Sequence, residues 1–333
     1  MAGLLADPRP ETLGPLVGEP VVVVELEDGD NMDNMEVGAR LRELPSVAVA
    51  LHRPGSALPV GVDNFDVLLT EEPDPPRPWV SDHGELLARI AGRVHRNPIA
   101  AVALVELLRL SEGLSVVDGL VCESFVYSML QGGPEFARWL AARRIPRLVH
   151  EGEPVRAARS GNRLTVSFNR PTVHNAYSAA MRDALSDALS IAVADPDLES
   201  VHLEGVGPSF CSGGDLTEFG TTPDPSTAHV IRVTRSPARL LAELADRVTV
   251  SLHGACVGAG VELSAFASRV QAVSETWFEL PEVQMGLVPG AGGTVSVPRR
   301  IGRHRTAVLA LSGDRLTAQQ AVEWNLIDEI VPS

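Results

Sequence analysis

The chain has 333 residues and a mass of 35.4 kDa, and its 44% apolar content and mean hydropathy of +0.08 allow a sizeable core and argue against disorder or a coiled coil. A formal charge of −15, from 43 acidic and 28 basic residues, disfavours nucleic acid or an anionic membrane surface as the main partner. All 28 basic residues are Arg, and the absence of Lys excludes Schiff-base chemistry and a Walker P-loop.

In chain order, Val21–Leu26 reads as a strand, Met35–Leu44 as a helix, and Ser46–Leu51 and Phe65–Thr70 as two further strands. Residues 1–80 are thus a small α/β segment with few core positions, closed by the Pro-rich linker EEPDPPRP at Glu71–Pro78. Residues 81–150 carry helical apolar spacing at Leu86, Leu87 and Ile90, at Leu104, Leu107 and Leu108, and at Phe125, Met129 and Phe136. They predict a cluster of helices followed by linker-like composition around Ile145–Ser160. Residues 155–333 alternate strands (Leu164–Phe168, Ser200–Glu204, Val248–Leu252) with helices from about Ser178 and at Arg232–Asp246, which predicts an α/β architecture with helices on parallel strands. No apolar run approaches a membrane span and the start lacks a signal-peptide pattern, so a cytoplasmic protein is expected. Cys122, Cys211 and Cys256 have no CxxC spacing and read as small fillers, with neither a disulfide framework nor a metal site indicated.

Glycine-rich stretches fall where strands end: Gly207–Asp215, His253–Glu262 and Gly286–Thr294. Gly213 and Gly214 precede a helical-looking segment and Gly258–Gly260 precede another, so both loops can aim backbone N–H groups at one oxygen; either alone also reads as a tight turn. Neither loop has the GxGxxG pattern of a dinucleotide site. Glu262 and Glu282 stand in apolar surroundings that raise a carboxyl pKa and suit proton transfer near neutrality, although a lone Glu there also reads as a helix-terminal or surface charge. His253 reads as structural beside the Gly254 turn, and Asp215 as a helix cap.

The strings NRPTVHNAYS, GPSFCSGGDLTEF, HGACVGAGVEL, FELPEVQMGLVPGAGGTVSVPRRIG and LSGDRLTAQQAVEWNLIDEIVP, in this order, resemble the crotonase (enoyl-CoA hydratase/isomerase) superfamily along residues 155–333. The resemblance implies stacked ββα turns assembled as a homotrimer or hexamer, an acyl-CoA or enoyl-CoA thioester as substrate, and no resident cofactor. It carries the oxyanion-hole N–H groups onto Gly214 and Ala259, each worth about 3 to 4 kcal/mol of transition-state stabilisation. The two glutamates of the hydratase subgroup fall on Glu262 and Glu282, implying syn hydration of a 2-enoyl-CoA. An enoyl-CoA isomerase, another hydro-lyase, or a non-catalytic CoA-thioester-binding oligomer are the alternatives. CoA contacts map onto Val173 and the backbone of Ser212, Gly213, Gly214, Asp215 and Leu216.

The sequence departs from the family pattern at Thr172, where relatives often have Lys, at Glu279, and at Tyr177 and Trp277, which are expected to crowd the acyl pocket. Relatives continue with a helical tail past the equivalent of Ser333; here residues 81–150 resemble that tail, with a lone Glu123 on a helix and a basic residue for CoA at Arg143 or Arg144. A circularly permuted order is therefore expected, placing Ser333 near Asp82. Ser46–Glu72 faintly repeats Val248–Glu275, as either a degenerate half-copy or an unrelated insertion.

Overall fold

The computed structural model describes residues 13–26, 41–53, 55, 57–144 and 152–332. Four parallel strands form the first sheet in the order β1 (Val21–Leu26), β2 (Val47–His52), β3 (Val67–Thr70) and β4 (Val80–Ser81). Of the expected Met35–Leu44 helix, residues 35–40 lie outside the described residues, while 41–43 are helical. Alternate residues of β2 serve two cores: Val47 and Val49 face the main one, whereas Ala48 and Ala50 join Phe65, Leu68 and Trp79 in a second. A strand buried on both faces explains the unbroken apolar string VAVAL.

Residues 81–150 do form helices, at Leu86–Arg96, Pro98–Ser111, Val116–Gln131 and Pro134–Ala142. Asp82 starts the first by accepting from the Leu86 and Leu87 amides at 2.9 Å. Pro98 opens the second, whose residues are buried almost all round because it lies between the first sheet and the rest of the protein. Arg109 on this helix meets Asp66 beside β3 (Nε to Oδ1, 2.7 Å), a buried pair whose remaining donors reach backbone carbonyls.

The remaining strands are β5 (Val155–Ser160), β6 (Arg163–Phe168), β7 (Ser200–Gly205), β8 (Val248–Leu252), β9 (Ala255–Val257), β10 (Arg269–Val273), β11 (Trp277–Glu279), β12 (Leu316–Thr317) and β13 (Glu329–Val331). A six-stranded sheet runs β13-β10-β8-β7-β6-β5, parallel except for β5 against β6, and a three-stranded sheet runs β12-β11-β9. β8 and β10 in the larger sheet are each followed by a short strand of the smaller one and then a helical turn, Ala259–Ser264 or Glu282–Met285. These are the expected stacked ββα turns.

Three local expectations need correction. Val155–Ser160, inside the stretch read as linker, is an edge strand exposed along nearly its whole length, so its polarity reflects solvent rather than disorder. Arg232–Asp246 is not one helix but falls across Pro225–Thr234 and Pro237–Glu243, because Ser236 caps and Pro237 opens a new helix and proline cannot continue the old one. Residues 216–220, after Gly214, form turns and no α-helix.

One apolar cluster runs from Val47 to Ile327, joining all three segments. Ser333 lies outside the described residues, but Asp82 and Trp324 line one cavity, and Arg305 donates to the Trp79 carbonyl, so the start of the helical segment adjoins the last part of the core. No helix among the described residues is long and apolar enough to cross a membrane.

Candidate active site

The two glycine loops lie against each other. The backbones of Cys211 and Cys256 pair in an isolated parallel β-bridge, Val257 N–H donates to the Cys211 carbonyl at 2.9 Å, and a Cβ on Gly258 would stand 3.6 Å from Gly213 Cα. On the other side Tyr177 N–H donates to the Gly213 carbonyl and Asp215 N–H to the Tyr177 carbonyl, which leaves Gly214 N–H between two committed neighbours. Neither Gly214 N–H nor Ala259 N–H has a hydrogen-bond acceptor among the described residues, and both residues line the same cavity of about 730 Å³. That volume suits a small organic ligand.

Glu262 and Glu282 line this cavity too. Glu262, in the first turn of the Ala259–Ser264 helix, is 2% exposed, and its Oε2 accepts from the Ala291 and Gly293 amides at 2.7 and 2.9 Å. Glu282 opens the 3-10 turn after β11, and its buried Oε2 has no partner among the described residues. Gly258 has φ +47°, and a Cβ there would come within 2.4 Å of Glu282 Oε1, so this position needs Gly both for its backbone and for the carboxyl beside it.

A third carboxyl enters from the helical segment that precedes the core. Glu123 on the Val116–Gln131 helix is 2% exposed and lines the cavity. It accepts from Gly292 N–H at 2.7 Å, Thr294 N–H at 2.9 Å and the Thr294 hydroxyl at 2.7 Å. Sequence reasoning noted Glu123 without giving it a role; a lone acid within an apolar helix was the available signal.

Burial raises all three carboxyls above their ordinary range. Glu123 is lifted from 4.5 to about 7, against the pull of the Thr294 and Gly292 donors. Glu282 is lifted to about 8 by desolvation first, with the Glu279 and Glu123 charges adding to it. Glu262 is raised well above the usual range by desolvation and then by repulsion from Glu282 and Glu123. Protons held by such close groups belong to the cluster, which can both give and take one near neutral pH.

Of the other residues singled out, Asp215 lines the cavity, caps Thr217 and pairs with Arg170 at 2.9 Å, in keeping with a capping role although a turn rather than a helix follows. Val173, Ser212, Gly213 and Leu216 lie in the adjoining loops without lining the cavity, and His253 is anchored to the Gly207 carbonyl. Arg143 donates to the carbonyls of Leu216 and Phe219, both at 2.7 Å. It thereby ties down the turn whose Phe219 ring backs Gly214, where an added Cβ would meet that ring at 2.7 Å. Tyr177 lines the cavity as expected, but Trp277 does not: its ring packs under Arg315, which also pairs with Glu279 at 3.2 Å. None of the described residues of segment 1–80 lines the cavity.

A comparison with family models matches residues 159–333 to the enoyl-CoA hydratase/isomerase family. Among curated proteins, 2,3-dehydroadipyl-CoA hydratase from Escherichia coli is 33% identical over 172 residues, covering 51% of this chain and 66% of that protein. The 1,2-epoxyphenylacetyl-CoA isomerase of the same organism is also 33% identical over 172 residues, covering 50% and 66%. The matches thus span just under two thirds of these relatives' length. Among solved structures, the enoyl-CoA hydratase from Bacillus anthracis has 29% identity and a TM-score of 0.50, covering 54% of this chain and 70% of that one. An enoyl-CoA hydratase/isomerase from Marinobacter aquaeolei has 26% identity and a TM-score of 0.50, covering 55% and 72%.

Proposed function

The chain belongs to the enoyl-CoA hydratase/isomerase family, and from that premise we propose that it adds water across the 2,3-double bond of a 2-enoyl-CoA thioester, or removes it. The observation that carries this reading is the meeting of Glu262 and Glu282 in one cavity with the uncommitted N–H groups of Gly214 and Ala259. The thioester oxygen binds the two N–H groups, which stabilise it as it becomes an enolate. One water lies between the carboxyls: Glu262 assists its attack at C3 and Glu282 delivers the proton to C2, with the roles reversed for dehydration. Coenzyme A is part of the substrate, and its contacts are assigned to Val173, the 212–216 backbone and the remaining donors of Arg143.

The same reading treats the helices before the core as a displaced family tail, which the contacts of Glu123 and Arg143 with the core support. Assembly as a trimer or hexamer belongs to it and is tested by light scattering. Loss of the conjugated thioester absorbance of crotonyl-CoA tests the activity. Turnover should fall by about 10²- to 10⁴-fold in Glu262→Gln and in Glu282→Gln; turnover untouched by both changes, or CoA binding without turnover, would reject the assignment. A second reading, isomerisation through the same enolate, is favoured by the likeness to the 1,2-epoxyphenylacetyl-CoA isomerase. It requires only one proton-shuttling carboxyl, so one of the two Gln variants would then stay active.

A further inference from the structure

Cations line the same cavity as the carboxyls. Arg182, Arg232, Arg235 and Arg239 all line it, on a protein whose net charge is −15. Arg182 pairs with Asp183 at 2.8 Å and Arg235 with Asp187 at 2.7 Å. Arg232 and Arg239 are different: among the described residues no carboxylate lies within the 4.0 Å of an ion pair to either, and of the two it is Arg232 whose guanidinium is held in place by hydrogen bonds. Its Nε donates to Ser124 Oγ at 3.1 Å and its Nη1 to Gln131 Oε1 at 3.1 Å, while Nη2 donates to the Ser124 carbonyl at 3.3 Å and to Ser128 Oγ.

Those partners are neutral, so they fix the guanidinium without cancelling its charge. Its outer carbon stands 4.6 Å from the centre of the Tyr127 ring, and Tyr127 is in turn pressed against Gly290, where a Cβ would come within 2.3 Å of Tyr127 Cδ2. Tyr127 and Tyr177 are the only tyrosines of the chain, and both line this cavity. Glu123 is the acid that acts on Arg232, but both its oxygens are already taken by the 292–294 turn. Arg182 is close enough to work against the Arg232 charge rather than relieve it.

A plain alkyl chain would lay hydrocarbon against this half-buried, unneutralised cation and remove water from it without compensation. An anionic group would instead gain a charge-assisted hydrogen bond in a partly desolvated site. Building on the CoA-thioester reading above, we propose that the acyl end of the substrate carries a carboxylate that pairs with Arg232 beside the Tyr127 ring. The substrate class is then an ω-carboxyacyl-CoA, with Arg232 as its specificity residue.

Saturated ligands test this without relying on turnover. Calorimetric titration would compare succinyl-, glutaryl- and adipyl-CoA with butyryl-, pentanoyl- and hexanoyl-CoA of matching length. At least one carboxylated ligand should bind about tenfold or more tighter than its unsubstituted counterpart. That advantage should vanish in Arg232→Gln and survive in part in Arg232→Lys. Equal binding of every pair by the wild-type protein would overturn the proposal whatever the variants do, as would an advantage that persists in a folded Arg232→Gln. Crotonyl-CoA turnover with no carboxylate preference sinks this inference alone; failure of all six thioesters to bind sinks the CoA reading and this inference with it.

Discussion

Glu123 and Glu262 hold alternate amides of one turn. Glu262 takes the N–H groups of Ala291 and Gly293, and Glu123 takes those of Gly292 and Thr294. Four successive donors at the start of the Gly293–Ile301 helix are thus shared between two acids from different segments of the chain. Their acceptor oxygens complement the positive end of that helix. The turn is also packed too closely for change, because a Cβ on Gly293 would meet Glu262 Cγ at 2.6 Å.

Replacing Glu123 with Gln should therefore act through Glu262. The amide keeps one acceptor but turns an NH2 group toward donors, leaving a buried N–H unsatisfied at a cost of about 1–3 kcal/mol. Urea unfolding should register that loss, and kcat should fall while the affinity for a saturated acyl-CoA changes little. A variant with full stability and full kcat would show that Glu123 neither holds the turn nor positions Glu262.

Gly258→Ala should displace Glu282, since the new methyl would lie 2.4 Å from its Oε1 and the backbone has φ +47°. A drop in kcat of about 10²-fold or more is expected from misplaced chemistry. If Gly258→Ala retained wild-type kcat, the packing of Glu282 against this glycine would have no functional weight.

Stability should fall as pH rises. Glu123 and Glu282 have folded-state values of about 7 and about 8 against an ordinary 4.5. Between those limits the native state holds more protons than the unfolded chain, so their contribution is fully present below about 4.5 and is lost as pH climbs through 7 and 8. Urea titrations from pH 5 to 9 should show the decline, and Glu282→Gln should flatten it. A slope unchanged by that substitution would mean that Glu282 is ionised with little penalty.

Arg143→Leu should loosen the turn behind Gly214 by freeing the carbonyls of Leu216 and Phe219. If the turn supports the oxyanion site, kcat falls along with CoA-ester affinity. A change in affinity alone would assign Arg143 to the CoA moiety and not to the turn.

The order of elements in residues 155–333 was legible from alternating apolar periods, and the two glycine loops from their positions at strand ends, because both are local consequences of backbone sterics. The break at Pro237 was equally local, and a closer reading of Ser236-Pro237 as cap and first helical residue would have found it. The edge strand at Val155–Ser160 was not legible, since an exposed strand has the polar composition of a linker.

By itself the sequence determined the family resemblance and the expectation that Glu262, Glu282, Gly214 and Ala259 share one site. Only the tertiary structure decided that Glu123 joins them across 169 residues of chain, that Trp277 stays out of the cavity, and that Arg232 reaches it without an ionic partner. The placements of Glu123 and Arg232 depend on which faces the Val116–Gln131 and Pro225–Thr234 helices turn toward the core. Helical spacing gives a helix its apolar face, but only packing against the glycine turns fixes which acid or base is buried with it.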